Sequence, residues 1–183
     1  NNSAVLADIH GFLSGEDIVY GDLVFVRGDG EETVFIYPDI LTVDYFLERS
    51  LGHPATFIKR ELFRNCLYTE SLKIVSDWEF FVKKIILEGC SYRHVKRTIS
   101  NFDTSGVSSL SAKECNRERE LVLKQLFSPV LREYFQEAEQ LKKLPLLDVF
   151  LRLSKTRRLQ YRIKPLLLFV LKIDDFVVRR KKK

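Results

Sequence analysis

The spacing of apolar residues changes character several times along this chain, and each change marks an element. Val5, Leu6, Ile9, Phe12 and Leu13 recur at helical intervals behind Asn2 or Ser3 as a cap, with Gly15 placed to close the helix. Asp17 to Val26 then reads as a strand, Arg27-Gly28-Asp29-Gly30 as a turn, and Glu31 to Tyr37 as a second β-rich run. Pro38 stops that run, and Thr42 can cap a helix carrying Val43, Phe46 and Leu47 on its apolar side. His53 to Phe57 suits a loop leading into an edge strand, and Lys59 to Phe63 suits one or two helical turns. Helical spacing returns with Trp78, Phe81, Val82, Ile85 and Ile86. Ser76 followed by Glu79 has the form of a capping box that starts this helix, and Gly89 is placed to end it. Tyr92 to Ile99 alternates as a strand does.

Beyond Ser109 the pattern is helical alone. Ser111 with Glu114 forms a second capping box, Ser128-Pro129 starts another helix, Leu144-Pro145 breaks it, and Lys164-Pro165 begins the last. Strands alternating with helices argue for an α/β domain over residues 1–110, and the rest for an all-helical extension over residues 111–183.

The 183 residues can bury a sizeable core, and no apolar run reaches the ~20 residues a membrane-spanning helix needs. Nothing has the form of a signal peptide. Cys66, Cys90 and Cys115 lack metal-ligand spacing and read as free thiols of a cytoplasmic protein. The chain contains no methionine, which suits a fragment or processed product. Its net charge of +5 is concentrated late, in Arg157-Arg158 and the run Arg179 to Lys183, and such clusters favour anionic membrane surfaces or nucleic acid. No interleaved aromatic platform or docking motif accompanies them, so nucleic acid is not the expected partner.

Asp77 falls in the first turn of the helix from Ser76, where a carboxylate complements the helix dipole without any further role. Its company suggests more. Asp17 to Asp22, Gly52 to Phe63 (with His53-Pro54-Ala55-Thr56), Ser76-Asp77-Trp78-Glu79 and Asn101 to Ser109 occur in this order. In order and spacing they resemble the C-terminal, acceptor-side half of bacterial family 2 glycosyltransferases, the inverting GT-A type that builds envelope polysaccharide. The resemblance covers roughly residues 1 to 110, and its acidic motif carries Ser76 where the family often has Glu.

The resemblance implies an acceptor-side GT-A fold in which Asp77 is the base that takes the acceptor hydroxyl's proton. At a helix N-terminus the dipole is expected to lower the pKa of that base. His53 and Thr56 match a segment lining the sugar pocket, although a histidine before a strand is equally a structural hydrogen-bonder. Tyr20, Gly21 and Asp22 can approach a sugar, or can be ordinary strand-end residues. Trp78 is a stacking platform for acceptor or, given its place in the apolar stripe, core. Gly106 to Ser109 matches a segment before a mobile lid, or is a plain loop.

The family neutralises its leaving group with Mg or Mn held by Asp-x-Asp, and no Asp-x-Asp occurs here. The donor-binding half is therefore expected to lie outside this chain, which alone should be inactive. Partners implied for the intact enzyme are a nucleotide-sugar donor and a glycan or lipid-linked acceptor. The rival reading is a non-catalytic interaction or membrane-surface module. The apolar run from Pro165 with its flanking cations suits a peripheral position on an anionic membrane, or packing within a helical subdomain or homodimer.

Overall fold

A computed structural model describes residues 9–13, 15–103 and 112–181, with side chains as far as residue 173. Most of the expected first helix, the segment Gly106 to Ser109 and the Ser111 cap lie outside the described residues. The chain forms two compact units, Asn1–Phe127 and Ser128–Lys183. The first is a mixed α/β unit built on a four-stranded sheet.

Strand β1 (Ile18–Val26) is the axis of that sheet. On one side it pairs in parallel with β4 (Tyr92–Asp103) along its whole length. On the other it pairs antiparallel with β3 (Thr56–Ile58) through Ile18–Tyr20 and with β2 (Glu32–Phe35) through Leu23–Val26. A strand flanked along its length is covered on both faces only if its residues are nearly all apolar, and Ile18 through Leu23 are buried without a break. The β1–β4 register slips on both sides of Asp22, which pairs with Thr98 whereas Gly21 pairs with Val95. That irregularity requires Gly21, since a Cβ there would sit 2.5 Å from the Ile99 side chain and 2.6 Å from the Arg97 carbonyl oxygen.

Helix α1 (Val43–Glu48) starts as its sequence suggests, with the Thr42 hydroxyl accepting from the Tyr45 amide at 3.1 Å. Helix α2 (Ser76–Phe81) does not. Its N-cap is Val75, no side chain of its own caps it, and the expected Ser76–Glu79 box is absent. Glu79 is buried instead, paired with Lys83 at 2.8 Å and accepting from the Thr69 hydroxyl. The segment just before the helix is held from outside. Glu118, on helix α3 (Ala112–Leu126), accepts from the amides of Lys73 at 2.9 Å, Ile74 at 2.9 Å and Val75 at 3.2 Å. Burial alone would raise the Glu118 pKa, but the three amides and the Lys73 charge hold it below the usual carboxylate value. The first unit accordingly extends past residue 110 to Phe127.

After Phe81 the helix loosens into a π turn, Val82–Leu87, and ends at Gly89, whose φ of +68° is the left-handed closure that glycine permits. The wider turn shifts the buried stripe, so that Lys84 is buried and Ile86 only partly so. Lys84 keeps its charge satisfied by Glu88 at 2.8 Å. Phe80, Phe81, Trp78 and Phe46 fill the core between these elements.

The second unit contains α4 (Pro129–Lys142), α5 (Leu147–Ser154) and α6 (Arg157–Lys181). Ser128 caps α4, its hydroxyl accepting from the Leu131 amide. Pro165 lies inside α6 rather than at its start, because the helical residues Arg157 to Lys164 precede it. Among the described residues of this unit none is buried. No helix among the described residues is long and apolar enough to cross a membrane.

Candidate active site

Asp77 sits in the first turn of α2, as the sequence indicates, with its Oδ1 accepting from the Trp78 amide at 2.7 Å. The carboxylate is half-buried, and burial raises its pKa above the ordinary 3.8. The Trp78 amide, the charge of His53, its own amide and Arg119 work in the opposite direction without cancelling the effect. This corrects the expectation of a pKa lowered at the helix N-terminus: desolvation of the half-buried carboxylate outweighs the favourable groups around it.

His53 opens a 3-10 turn, His53–Ala55, directly before β3, so two sequence segments separated by more than twenty residues bring an imidazole into the field of the Asp77 carboxylate. The His53 ring meets Tyr68 edge-on, with centroids 5.7 Å apart. Tyr68 packs in turn on Phe63 and Phe80. Its phenol is pushed up to about 12 by burial and then by Asp77. The Tyr68 hydroxyl is buried with no hydrogen-bond partner among the described residues. Tyr37 is also pushed up to about 12, by burial first and then by Asp22 and Asp77, against the pull of a Gly52 backbone bond and Arg49. Arg119 lays its guanidinium over the Trp78 ring at 5.0 Å. Asp77, His53, Tyr68, Tyr37 and Arg119 thus form one electrostatic neighbourhood. Nothing in the local sequence around Tyr68, Tyr37 or Arg119 marks them, since each arrives from a different element.

The other expected residues are placed differently. Trp78 is 1% exposed and donates its indole N–H to the Phe46 carbonyl at 2.7 Å, so it is core and offers no stacking face. Tyr20 is also buried, donating its hydroxyl to the Pro38 carbonyl at 2.6 Å. Thr56 donates to the Gly52 carbonyl at 2.9 Å. Gly21 serves the close approach to β4.

Asp22 is buried, and its Oδ1 accepts from the Tyr37 amide at 3.0 Å and meets His94 Nε2 at 2.9 Å. The opposite ring nitrogen of His94 meets Asp39 at 2.7 Å, and Lys96 reaches the same carboxylate at 2.9 Å. Asp39 is held below the usual carboxylate range by His94 and then Lys96. Tyr20 stacks on the His94 ring at 5.2 Å. This relay fastens β1 to β4 and to the segment after β2, and it lay unseen in the sequence because its members are 72 and 55 residues apart.

Among the described residues no group of three or more His, Cys, Asp and Glu is placed to hold a metal ion. The donors present do not fit the divalent metal that the resemblance implies: the Asp22 and Asp39 carboxylates lie on opposite edges of an imidazole rather than converging on one point. In comparisons with known proteins, the chain matches no family model, no curated protein and no solved structure.

Proposed function

We propose that the first unit is the acceptor-side part of an inverting, GT-A-type glycosyltransferase, with Asp77 as the base. The observation that carries this reading is the half-buried Asp77 carboxylate in the first turn of α2, lying in the field of His53, a residue of another of the ordered motifs. A carboxylate of raised pKa is a stronger base than an exposed one, and His53 and Arg119 favour its ionised form. The acceptor hydroxyl attacks the anomeric carbon, the bond from that carbon to the nucleoside diphosphate breaks on the opposite face, and the proton passes to Asp77. The donor is a nucleotide sugar and the acceptor a glycan or lipid-linked glycan, which places the intact enzyme at the cytoplasmic face of a membrane.

A second reading, a non-catalytic module derived from such a fold, is favoured by one observation. Tyr20, Gly21, Asp22 and Trp78 are all taken up by internal contacts. Transfer assays on the full-length protein with a panel of nucleotide sugars separate the two. The enzymatic reading expects turnover that Asp77→Asn reduces by about a thousandfold or more, with nucleotide binding unchanged. Turnover unaltered by that change removes Asp77 from the role, and a wild type inert toward every donor favours the module.

A further inference from the structure

We propose that the α5–α6 hairpin docks on an anionic lipid surface, lying in the headgroup region rather than crossing the bilayer. The inference rests on the second unit alone and does not depend on the role of Asp77.

The hairpin is a defined piece. Gln160 donates from Nε2 to the carbonyls of Leu153 at 3.0 Å and Ser154 at 2.9 Å, tying the start of α6 to the end of α5. Phe150 and Leu153 of α5 and Ile163, Leu167 and Leu168 of α6 line an open, largely apolar groove of about 450 Å³ between them. Outside that groove the apolar surface continues. Leu166, Phe169 and Leu171 are each 60–61% exposed. An apolar surface of this extent, in a unit whose described residues include none that is buried, is a place where something else supplies the cover.

Charge identifies the cover. Against three acidic residues, Asp148, Asp174 and Asp175, the hairpin from Leu147 to Lys181 carries Arg152, Lys155, Arg157, Arg158, Arg162, Lys164 and Lys172, all exposed, and then Arg179, Arg180 and Lys181. A second copy docking through the same face would bring these cations onto their own equivalents, because a two-fold interface pairs a patch with itself. An anionic lipid surface attracts every one of them and buries the leucines between them. Single-stranded nucleic acid would satisfy the cations but leave Leu166, Leu167 and Leu171 uncovered, with few aromatic faces for bases to stack on. Geometry fixes the depth. Pro165–Ile173 is roughly 14 Å long as a helix, against a hydrocarbon core of about 30 Å, so the hairpin can lie in the interface and cannot span it.

The test is flotation of the full chain with vesicles of phosphatidylcholine alone and of phosphatidylcholine mixed with phosphatidylglycerol, at low and high salt. Trp78 fluorescence serves as a check that the first unit is folded. Binding is expected to the mixed vesicles only, and to weaken with salt. Leu166→Glu with Phe169→Glu, and separately Arg157→Glu with Arg158→Glu, should each weaken it about tenfold or more, while Ile36→Glu in the first unit leaves it unchanged. Binding indifferent to lipid charge, or untouched by both pairs, overturns the proposal. So does lipid-free dimerisation abolished by Leu166→Glu with Phe169→Glu, or retention on single-stranded RNA without vesicle binding.

Discussion

Strand Ile18–Val26 and helix Arg157–Lys181 both carry runs of large apolar side chains, yet the strand buries six consecutive residues whereas the described part of the helix buries none. The strand has neighbours on both edges, and helix α2 and its surroundings contribute Trp78, Phe80 and Phe81 to the same core. Within its own unit the helix shares an open groove with the short α5. Hydrophobic content is therefore the same kind of signal in both places and leads to opposite outcomes, because stabilisation comes from area removed from water and not from the residues themselves.

The contrast can be pressed with matched truncations. Phe81→Ala, at a fully buried site, should cost about 3–5 kcal/mol, whereas Leu167→Ala should shift the same transition by less than about 0.5 kcal/mol. Trp78 is the only tryptophan, so chemical denaturation followed by its fluorescence reads the first unit in both variants. Equal losses would mean that the second unit shares the core.

Next in size is Glu118→Ala, which strands three amides in the segment just before α2 and should cost about 2–3 kcal/mol in the same assay. Its pH dependence has a definite sign. Because the folded-state pKa is lowered, the contribution of Glu118 is whole above the ordinary carboxylate range and is lost as pH falls through the folded value. Glu118→Gln should flatten that acid limb. Gly21→Ala comes third, at about 1–3 kcal/mol, since Ile99 can turn away but the Arg97 carbonyl oxygen cannot. Thermal melts of that variant would show no loss if the strands part freely at the irregularity.

The smallest effect has the opposite sign. Asp77 has a raised folded-state pKa, so its contribution is fully present below the unfolded value and is lost as pH rises through the folded one. Asp77→Asn should therefore raise the melting temperature at neutral pH, and the gain should shrink as the pH is lowered through the folded-state pKa. A lower melting temperature at neutral pH would make Asp77 a structural cap.

How much of this could be read in advance depended on the distance between partners. Strand β1, the turn after it, the Thr42 cap and the Gly89 closure follow from neighbouring residues and are legible as such. Ser76 and Glu79 carry the right residues at the right spacing, but Glu79 turns to Lys83 and Thr69, and Glu118 ties down the segment before α2 from 43 residues away. Periodicity also presumes a uniform helix, so the π turn Val82–Leu87 moved the buried face without a sequence signal. At the candidate site, Asp77 and His53 could be singled out by their motifs. Tyr68, Tyr37, Arg119 and the His94 relay could not, because only the folded chain makes them neighbours.

The Glu118 clasp also imposes an order of events on synthesis. A ribosome delivers Lys73, Ile74 and Val75 well before the carboxylate that accepts from them, so the segment before α2 emerges with these amides facing water. Trp78 and the aromatic residues beside it can collapse at once, but the segment leading into α2 acquires its final partner only when α3 has left the exit tunnel. The approach to the helix that carries Asp77 would then be among the last parts of the first unit to be fastened.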